Sequence, residues 1–487
     1  MIVTLPLDFI QHCQTLVGVD NVIADQASLR VYECDALSAY RHLPELVVLP
    51  ETVAQVQALL KLCSEHRMPL VARGAGTGLA GGALPVEGGI VLGLSKMKRV
   101  LAIDPLNRTA TLQPGVRNLA ISEAAKAHDL YYAPDPSSQI ACSIGGNIAE
   151  NAGGVHCLKY GLTVHNVLQL KLVTIDGELL VLGGSGLDAP GYDLLALAIG
   201  SEGLLGVVVE ITVRLLPLQP QTQVLLAAFA SVEQAGAAVA AIIADGLLPA
   251  GLELMDNAAI RATEAFVHAG YPVDAAAILL CELDGLPEQV EADSARAESI
   301  LQSNGAVEIR KASDENQRKR FWAGRKAAFP AVGRIASDYY CMDGTIPRKH
   351  LAAVLKQIAE LAEQYQLSVV NVFHAGDGNL HPLILYDGSR ADDFQKAETL
   401  GGKILELCVA VGGTITGEHG VGIEKLGQMC VQFQTAELQQ FHRLKHAFDP
   451  HDLLNPGKAI PTLHRCAELG RMHVHHGQLP HPELERF

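Results

Sequence analysis

The stretch "ELVVLPETVAQVQALLKLCSEHRMPLVARGAGTG", residues 45–78, allows few folds. Pro50 stops a short apolar strand, Thr52 is suited to cap a helix, and Ala54, Val56, Leu59, Leu60 and Cys63 are expected on one helical face. "PLVAR" then reads as a second strand running straight into glycines at 74, 76, 78, 81 and 82. This is a βαβ unit ending in a loop whose backbone N–H groups can approach an anion with no Cβ in the way. The spacing fits neither the P-loop nor the dinucleotide glycine pattern, so the loop alone suits a diphosphate cradle or a plain turn.

With 487 residues the chain exceeds one hydrophobic core and is expected to divide. Residues 1–42 read as a helical lead-in, with "DFIQHCQTLVG" ending at Gly18. Residues 43–220 alternate short strands and helices, carry a hairpin signal at Asp176-Gly177, and close at "PLQPQTQ". Residues 221–430, with "VLLAAFASVEQAGAAVAAIIADG" and "AAILLCELDG", read as an α+β domain whose antiparallel sheet is covered by helices on one face. Residues 431–487 are a helical segment and a tail.

The formal charge of -16 and the absence of a Lys/Arg run exclude nucleic acid as the main partner. No apolar run is long enough to span a bilayer and the N-terminus lacks the pattern of a secretion signal, so the expected location is the cytoplasm. Ten scattered cysteines with no C-x-x-C pair read as reduced core thiols, which leaves any iron–sulfur chemistry to another subunit.

"SVVNVFHAGDGNLHPLILYDG" reads as two strands joined at "AGDGN", so that His374 ends one and His381 begins the next. Folding the hairpin sets the two imidazoles side by side, as two histidine metal ligands require. About forty residues on, "GGTITGEHGVGIEK" offers Glu418 with His419 in a glycine-framed loop. His, His and Glu leave open positions on a divalent cation such as zinc, manganese or iron for substrate oxygens. The bland alternative is a hairpin capped by histidines. In "RFWAGRKAAFP", Arg325 has the fork that grips a carboxylate, and the alternative there is a basic surface helix.

Four segments together carry a resemblance: "ELVVLPETVAQVQ", "PLVARGAGTGLAGGA", "PDPSSQIACSIGGNIAENAGG" and "GSEGLLGVVVEITVRLLP". They resemble the FAD-binding domain of the vanillyl-alcohol oxidase and p-cresol methylhydroxylase superfamily. The resemblance implies an α+β protein: a two-subdomain FAD-binding domain, an antiparallel-sheet substrate (cap) domain with a metal site, and a C-terminal helical segment. By it, Arg73, Gly74, Ala75, Gly76, Thr77 and Gly78 would cradle the FAD diphosphate, with Gly81 close by. Pro134, Asp135, Ser137, Ser138, Gly145, Gly146 and Asn147 would line the cofactor further along, with Asn151, Gly153 and Gly154. Glu202, Gly203 and Val208 would complete the site, and Asn455 in "FDPHDLLNPGKAI" would return to the flavin. Gly76-Thr77-Gly78 offers no covalent anchor, so although Cys142 lies in the second segment the FAD is expected to be noncovalent.

The hairpin and the "GEHG" loop resemble the C-terminal domain of FAD-linked D-lactate, glycolate and D-2-hydroxyglutarate dehydrogenases. That resemblance implies that His374, His381 and Glu418 bind the divalent metal and that His419 takes the hydroxyl proton. Arg325 would hold the substrate carboxylate, with Asn379 in the substrate pocket. Relatives acting on the longer dicarboxylate carry a lysine where this chain has Cys341, and a neutral thiol favours glycolate or D-lactate. "FPAVGRIASDYYCMDGTIPR" and the tail, with His473, His475 and His476, resemble the D subunits of bacterial glycolate oxidases. The tail reads as a docking or incidental surface segment. The resemblance implies a second flavin subunit, an iron–sulfur subunit, electron transfer to the respiratory chain and peripheral membrane association through those partners. The alternatives are a stand-alone D-lactate dehydrogenase, a noncatalytic scaffold that keeps the flavin fold, and a metal-dependent hydrolase without flavin.

Overall fold

The structure, a computed structural model, describes residues 5–186 and 190–462, so His473, His475 and His476 lie outside the described residues. Helix Leu7–Val17 opens the described chain, as expected, and buries Phe9, Cys13 and Val17. Its neighbour, helix Val53–His66, begins at Thr52, whose hydroxyl accepts from Gln55 N while the Gln55 side chain accepts from Thr52 N. Such a reciprocal cap satisfies backbone donors that a helix start leaves over. Val56, Leu59, Leu60 and Cys63 are buried as expected, but Ala54 is exposed. At 100° per residue it falls on the side of the helix away from Val56.

The first sheet runs Val22–Ile23, Leu46–Val48, Ile90–Gly93, Leu70–Arg73 in spatial order. The last three strands are parallel, and Ile90–Gly93 lies between the two strands of the βαβ unit. The Gly74–Gly78 loop therefore leaves from an edge strand. The second sheet is antiparallel, ordered Val100–Asp104, Thr109–Leu112, Val207–Arg214, Val167–Val173, Leu179–Gly183, with its last pair joined through the turn at Gly177. Pro217 ends a short strand paired with Leu130–Tyr131, and from Gln221 the chain enters a third sheet.

That third sheet is nine-stranded and antiparallel, with Gln221–Phe229, Ala277–Gly285, Gly251–Asp256 and Ser368–His374 side by side. Helices cover it on both faces, against the one-face expectation. Leu225, Ala227, Leu279 and Cys281 pack under helices that include Val232–Ala244 and Leu351–Tyr365. Leu226, Ala228, Ile278 and Leu280 pack under Asn257–Val267 and Glu315–Lys326. Continuous apolar runs such as "VLLAAF" and "AILLC" are what burial on both faces demands, each full burial of a Leu or Ile contributing about 1.5–3 kcal/mol.

After helix Thr435–Phe448 the chain returns to the first sheet, where Leu70 N donates to Leu453 O and Asn455 N to Leu70 O. Eight of the described cysteines are free thiols, as expected. No described helix is long and apolar enough to cross a membrane.

Candidate active site

A cavity of about 390 Å³ runs from the glycine loop of the first sheet to the histidine hairpin of the third. Arg73, Gly74, Ala75, Gly76, Thr77 and Gly78 wall one end; Ser137, Ser138, Gly145, Gly146, Asn147, Glu202, Gly203 and Val208 line it further along. His381, Glu418 and His419 close the other end. A Cβ on Gly74 would stand 2.2 Å from Ser143 Oγ, so a side chain there would fill the cradle. Arg73 is buried beneath the loop and donates to Cys34 O at 2.8 Å, putting a cation behind it.

The remaining residues expected at the cofactor brace the walls instead of lining them. Asn455 is buried and donates to Gly82 O and Glu202 O. Asp135 holds His156 through both its backbone and its ring, and Pro134 O accepts from Asn118. Asn151 accepts from Val164 N; Gly81 faces Ile423; Gly154 lies against the Asp135 backbone. Gly153 leaves room for Glu418, whose Oε2 would be 2.7 Å from a Cβ there.

The hairpin forms as its turn residues require, with His374 paired to Asn379 and Val370 to Leu383. The His374 and His381 ring centroids lie 5.1 Å apart, and both rings aim Nε2 at Glu418 Oε1, at 3.4 and 2.9 Å. Their other nitrogens are engaged: His374 Nδ1 with Glu253 Oε1 at 2.8 Å, His381 Nδ1 with Met342 O at 3.3 Å. His419 stacks on His381 at 5.0 Å between centroids, and its buried Nδ1 has no hydrogen-bond partner. Burial pushes the His419 pKa down to about 4, so its imidazole is neutral near pH 7.

Asp343 builds the loop that carries Glu418 and His419. Its carboxylate accepts from Thr416 Oγ1 and from the backbone N–H groups of Gly417, Glu418 and His419. Lys425 Nζ approaches it at 3.0 Å, and both side chains are fully buried. Burial alone would raise the Asp343 pKa, but the Lys425 ammonium holds it below the usual carboxylate range.

Arg325 and Asn379 sit behind the cavity wall. Arg325 is buried outside the cavity wall, with Nη2 2.6 Å from Glu253 Oε2 in an ion pair that lies off the hydrogen-bonding direction. Glu253 thus joins Arg325 to His374, a partner across the sheet that no motif in the sequence signals. Asn379 is buried against Gly417 and does not line the cavity. Sequence reasoning misses Ser143, Glu150, Lys326, Phe329 and Tyr339, which do line it. Ser143 and Glu150 sit inside the glycine-rich segment already singled out, and Lys326 follows Arg325, so adjacency was the available signal.

These residues fit the two groups expected. His374, His381 and Glu418 offer three ligand atoms within 4.8 Å of one another, with each histidine's second nitrogen held by a protein acceptor, as metal-ligating histidines have it. Cys341, His381 and His419 form a second such trio, sharing His381. The glycine cradle backed by Arg73 suits a diphosphate, and the cavity continues from it to His419.

Comparisons with known proteins agree with this geometry. A family model described as "FAD binding domain" matches residues 44–183, and one described as "FAD linked oxidases, C-terminal domain" matches 218–459. The chain is 65% identical over 456 residues to "Glycolate oxidase subunit GlcD" of Escherichia coli strain K12, covering 94% of this chain and 91% of that one. It is 35% identical over 422 residues to "D-lactate dehydrogenase" of Archaeoglobus fulgidus, covering 86% and 92%. In fold it is similar to p-cresol methylhydroxylase with substrate bound, at a TM-score of 0.80 and 18% identity over 94% of this chain and 97% of that one. The chain belongs to the FAD-linked oxidases, an α+β flavoenzyme family with an FAD-binding domain of the p-cresol methylhydroxylase type.

Proposed function

We propose that the chain oxidises a short 2-hydroxy acid, glycolate or D-lactate, to the 2-oxo acid, with His374, His381 and Glu418 as metal ligands and His419 as the base. The observation that carries this reading is the convergence of both hairpin histidines on Glu418, with a neutral His419 stacked beside them at the end of the FAD cavity. A divalent zinc, manganese or iron held there would lower the pKa of the substrate hydroxyl. Noncovalent FAD held by Arg73 and the Gly74–Gly78 loop would supply the acceptor for the hydride from Cα. His419 takes the hydroxyl proton, and Asp343 fixes where its imidazole stands by gripping the loop backbone. Glu253 holds His374 Nδ1 and so turns Nε2 to the site.

Arg325, whose buried Nε and Nη2 have no hydrogen-bond partner beside Glu253, remains the cation for the substrate carboxylate, and Lys326, which lines the cavity beside Phe329 and Tyr339, is a second cation at this end. Cys341 adds no further cation there, which suits a substrate with one carboxylate. The domains are 1–42, 43–220, 221–430 and 431–487. Electrons leave through a second flavin subunit and an iron–sulfur subunit, on the cytoplasmic side and at the membrane only through those partners. The similarity to a glycolate oxidase subunit supports this arrangement.

The test is steady-state oxidation with a dye acceptor, comparing glycolate, D-lactate and D-2-hydroxyglutarate. The expected result is that either short acid exceeds D-2-hydroxyglutarate at least tenfold in kcat/KM, and that Cys341→Lys narrows the gap. A preference for the dicarboxylate would overturn the substrate reading.

A further inference from the structure

Glu150 is a cavity residue for which neither the proposed chemistry nor FAD binding has yet given a use. It ends helix Ile144–Glu150 and its carboxyl lies between two glycine loops. A Cβ on Gly82 would stand 2.8 Å from Glu150 Oε1, and one on Gly420 would stand 1.9 Å from Oε2. The same two positions are 3.9 Å from Glu202 Oε2 and 3.0 Å from Glu202 Oε1, so the two carboxyl groups run side by side. Gly420 directly follows His419, which places this pair at the substrate end of the flavin cavity.

The two acids are treated differently by their surroundings. Each oxygen of Glu202 accepts a backbone N–H at 2.7 Å, from Val421 and from Gly422. Glu150 Oε2 is buried with no hydrogen-bond partner. An ionised oxygen without a donor is costly out of water, and two ionised carboxylates in contact are costlier still. The charged groups acting on Glu150 are Glu202 and Asp35, with Lys425 and Lys458 opposing them. Lys425 is already matched to Asp343, and Lys458 donates to Gly82 O and Leu84 O. Burial first and Glu202 second push the Glu150 carboxyl well above the ordinary range.

We propose that Glu150 is held as a neutral carboxylic acid beside an ionised Glu202, so that the flavin wall beside His419 carries one negative charge instead of two. Glu150 is then a positioning residue that acts through Glu202. It keeps the flavin's reduction potential high enough to accept the hydride, because reduction adds negative charge to the ring and a second carboxylate would oppose it. The inference rests on the reading that the flavin ring stands against His419.

The test uses the FAD-loaded full chain with a chemical reductant in place of substrate, so that a failure of the substrate reading does not enter. The midpoint potential is measured against pH for wild type and for Glu150→Gln, which keeps the shape and the neutrality. The two are expected to agree near pH 7 to within a tenfold change in the two-electron equilibrium, about 30 mV, and to separate at alkaline pH as Glu150 ionises and the wild-type potential falls. A variant potential at pH 7 higher by more than that margin would mean that Glu150 is ionised, and the proposal would fall. The infrared spectrum of the wild type needs no variant: a protonated-carboxyl C=O band is expected at pH 7, and its absence overturns the proposal. Bleaching of the wild type by glycolate is scored separately; if it fails while the potentials behave as stated, the substrate reading is wrong and the charge state of Glu150 stands.

Discussion

His419 and Asp343 divide the work of the "GEHG" loop between chemistry and geometry. Replacing His419 with Asn is expected to slow substrate-driven flavin reduction by about 10²- to 10⁴-fold, the usual worth of a general base, while FAD content stays unchanged. Stopped-flow absorbance after anaerobic mixing reads the first quantity and the protein's visible spectrum the second. Asp343→Asn removes the nearest anion from the buried Lys425 ammonium, leaving Glu424 Oε2 at 3.7 Å, and should lower the unfolding free energy by about 3 kcal/mol, measured by chemical denaturation. For Glu253→Gln the expected outcome is a drop of about 10- to 100-fold in metal affinity, read as metal retained after dialysis against buffered zinc. His374, His381, Glu418 and His419 were legible because glycines framed them in an aliphatic domain. Glu253 was not, since it reaches His374 from another strand, and such a contact leaves no mark in local spacing.

Asp256 joins two elements, capping helix Asn257–Val267 through Ala259 N and accepting from Asn371 N and Nδ2 on the hairpin strand. Burial pushes its pKa up to about 6 despite these donors. The folded value lies above the unfolded one, so Asp256 contributes stability below about pH 4 that is lost as pH rises through about 6. Compared with Asp256→Asn, which does not titrate, wild type should therefore lose about 2 kcal/mol of unfolding free energy between pH 4 and pH 6, and on the order of 3 kcal/mol over the whole range from below about pH 3 to above about pH 7. Denaturation of both proteins at several pH values checks the sign. At this scale the sequence spoke clearly where the signal is local. Thr52 capped its helix and the "AGDGN" turn closed its hairpin. It misled where the partner is remote: Ala54 shares the apolar character of its helix but not the buried side, and a strand's second face shows only in the unbroken run of Leu and Ala.

The whole molecule places its cavity between sheets that lie far apart in sequence. Glu202 from the first half grips Val421 and Gly422 from the second, and Asn455 near the end of the described chain braces both Gly82 and Glu202. The glycine segments announced a long cofactor site; which of their residues face it and which brace it depends on these long-range contacts. The central claim is that FAD and a metal held by His374, His381 and Glu418 act on one small substrate at the end of that cavity. The most direct test is the visible absorbance of the FAD-loaded protein on anaerobic addition of glycolate or D-lactate, before chelation, after it, and after metal is restored. The expected result is bleaching by at least one of these acids in the metal-loaded protein, none in the chelated protein that keeps its FAD, and recovery with zinc or manganese. Equal bleaching with and without metal would contradict the metal's role, and flavin bands untouched by either acid in the fully loaded protein would contradict the function itself.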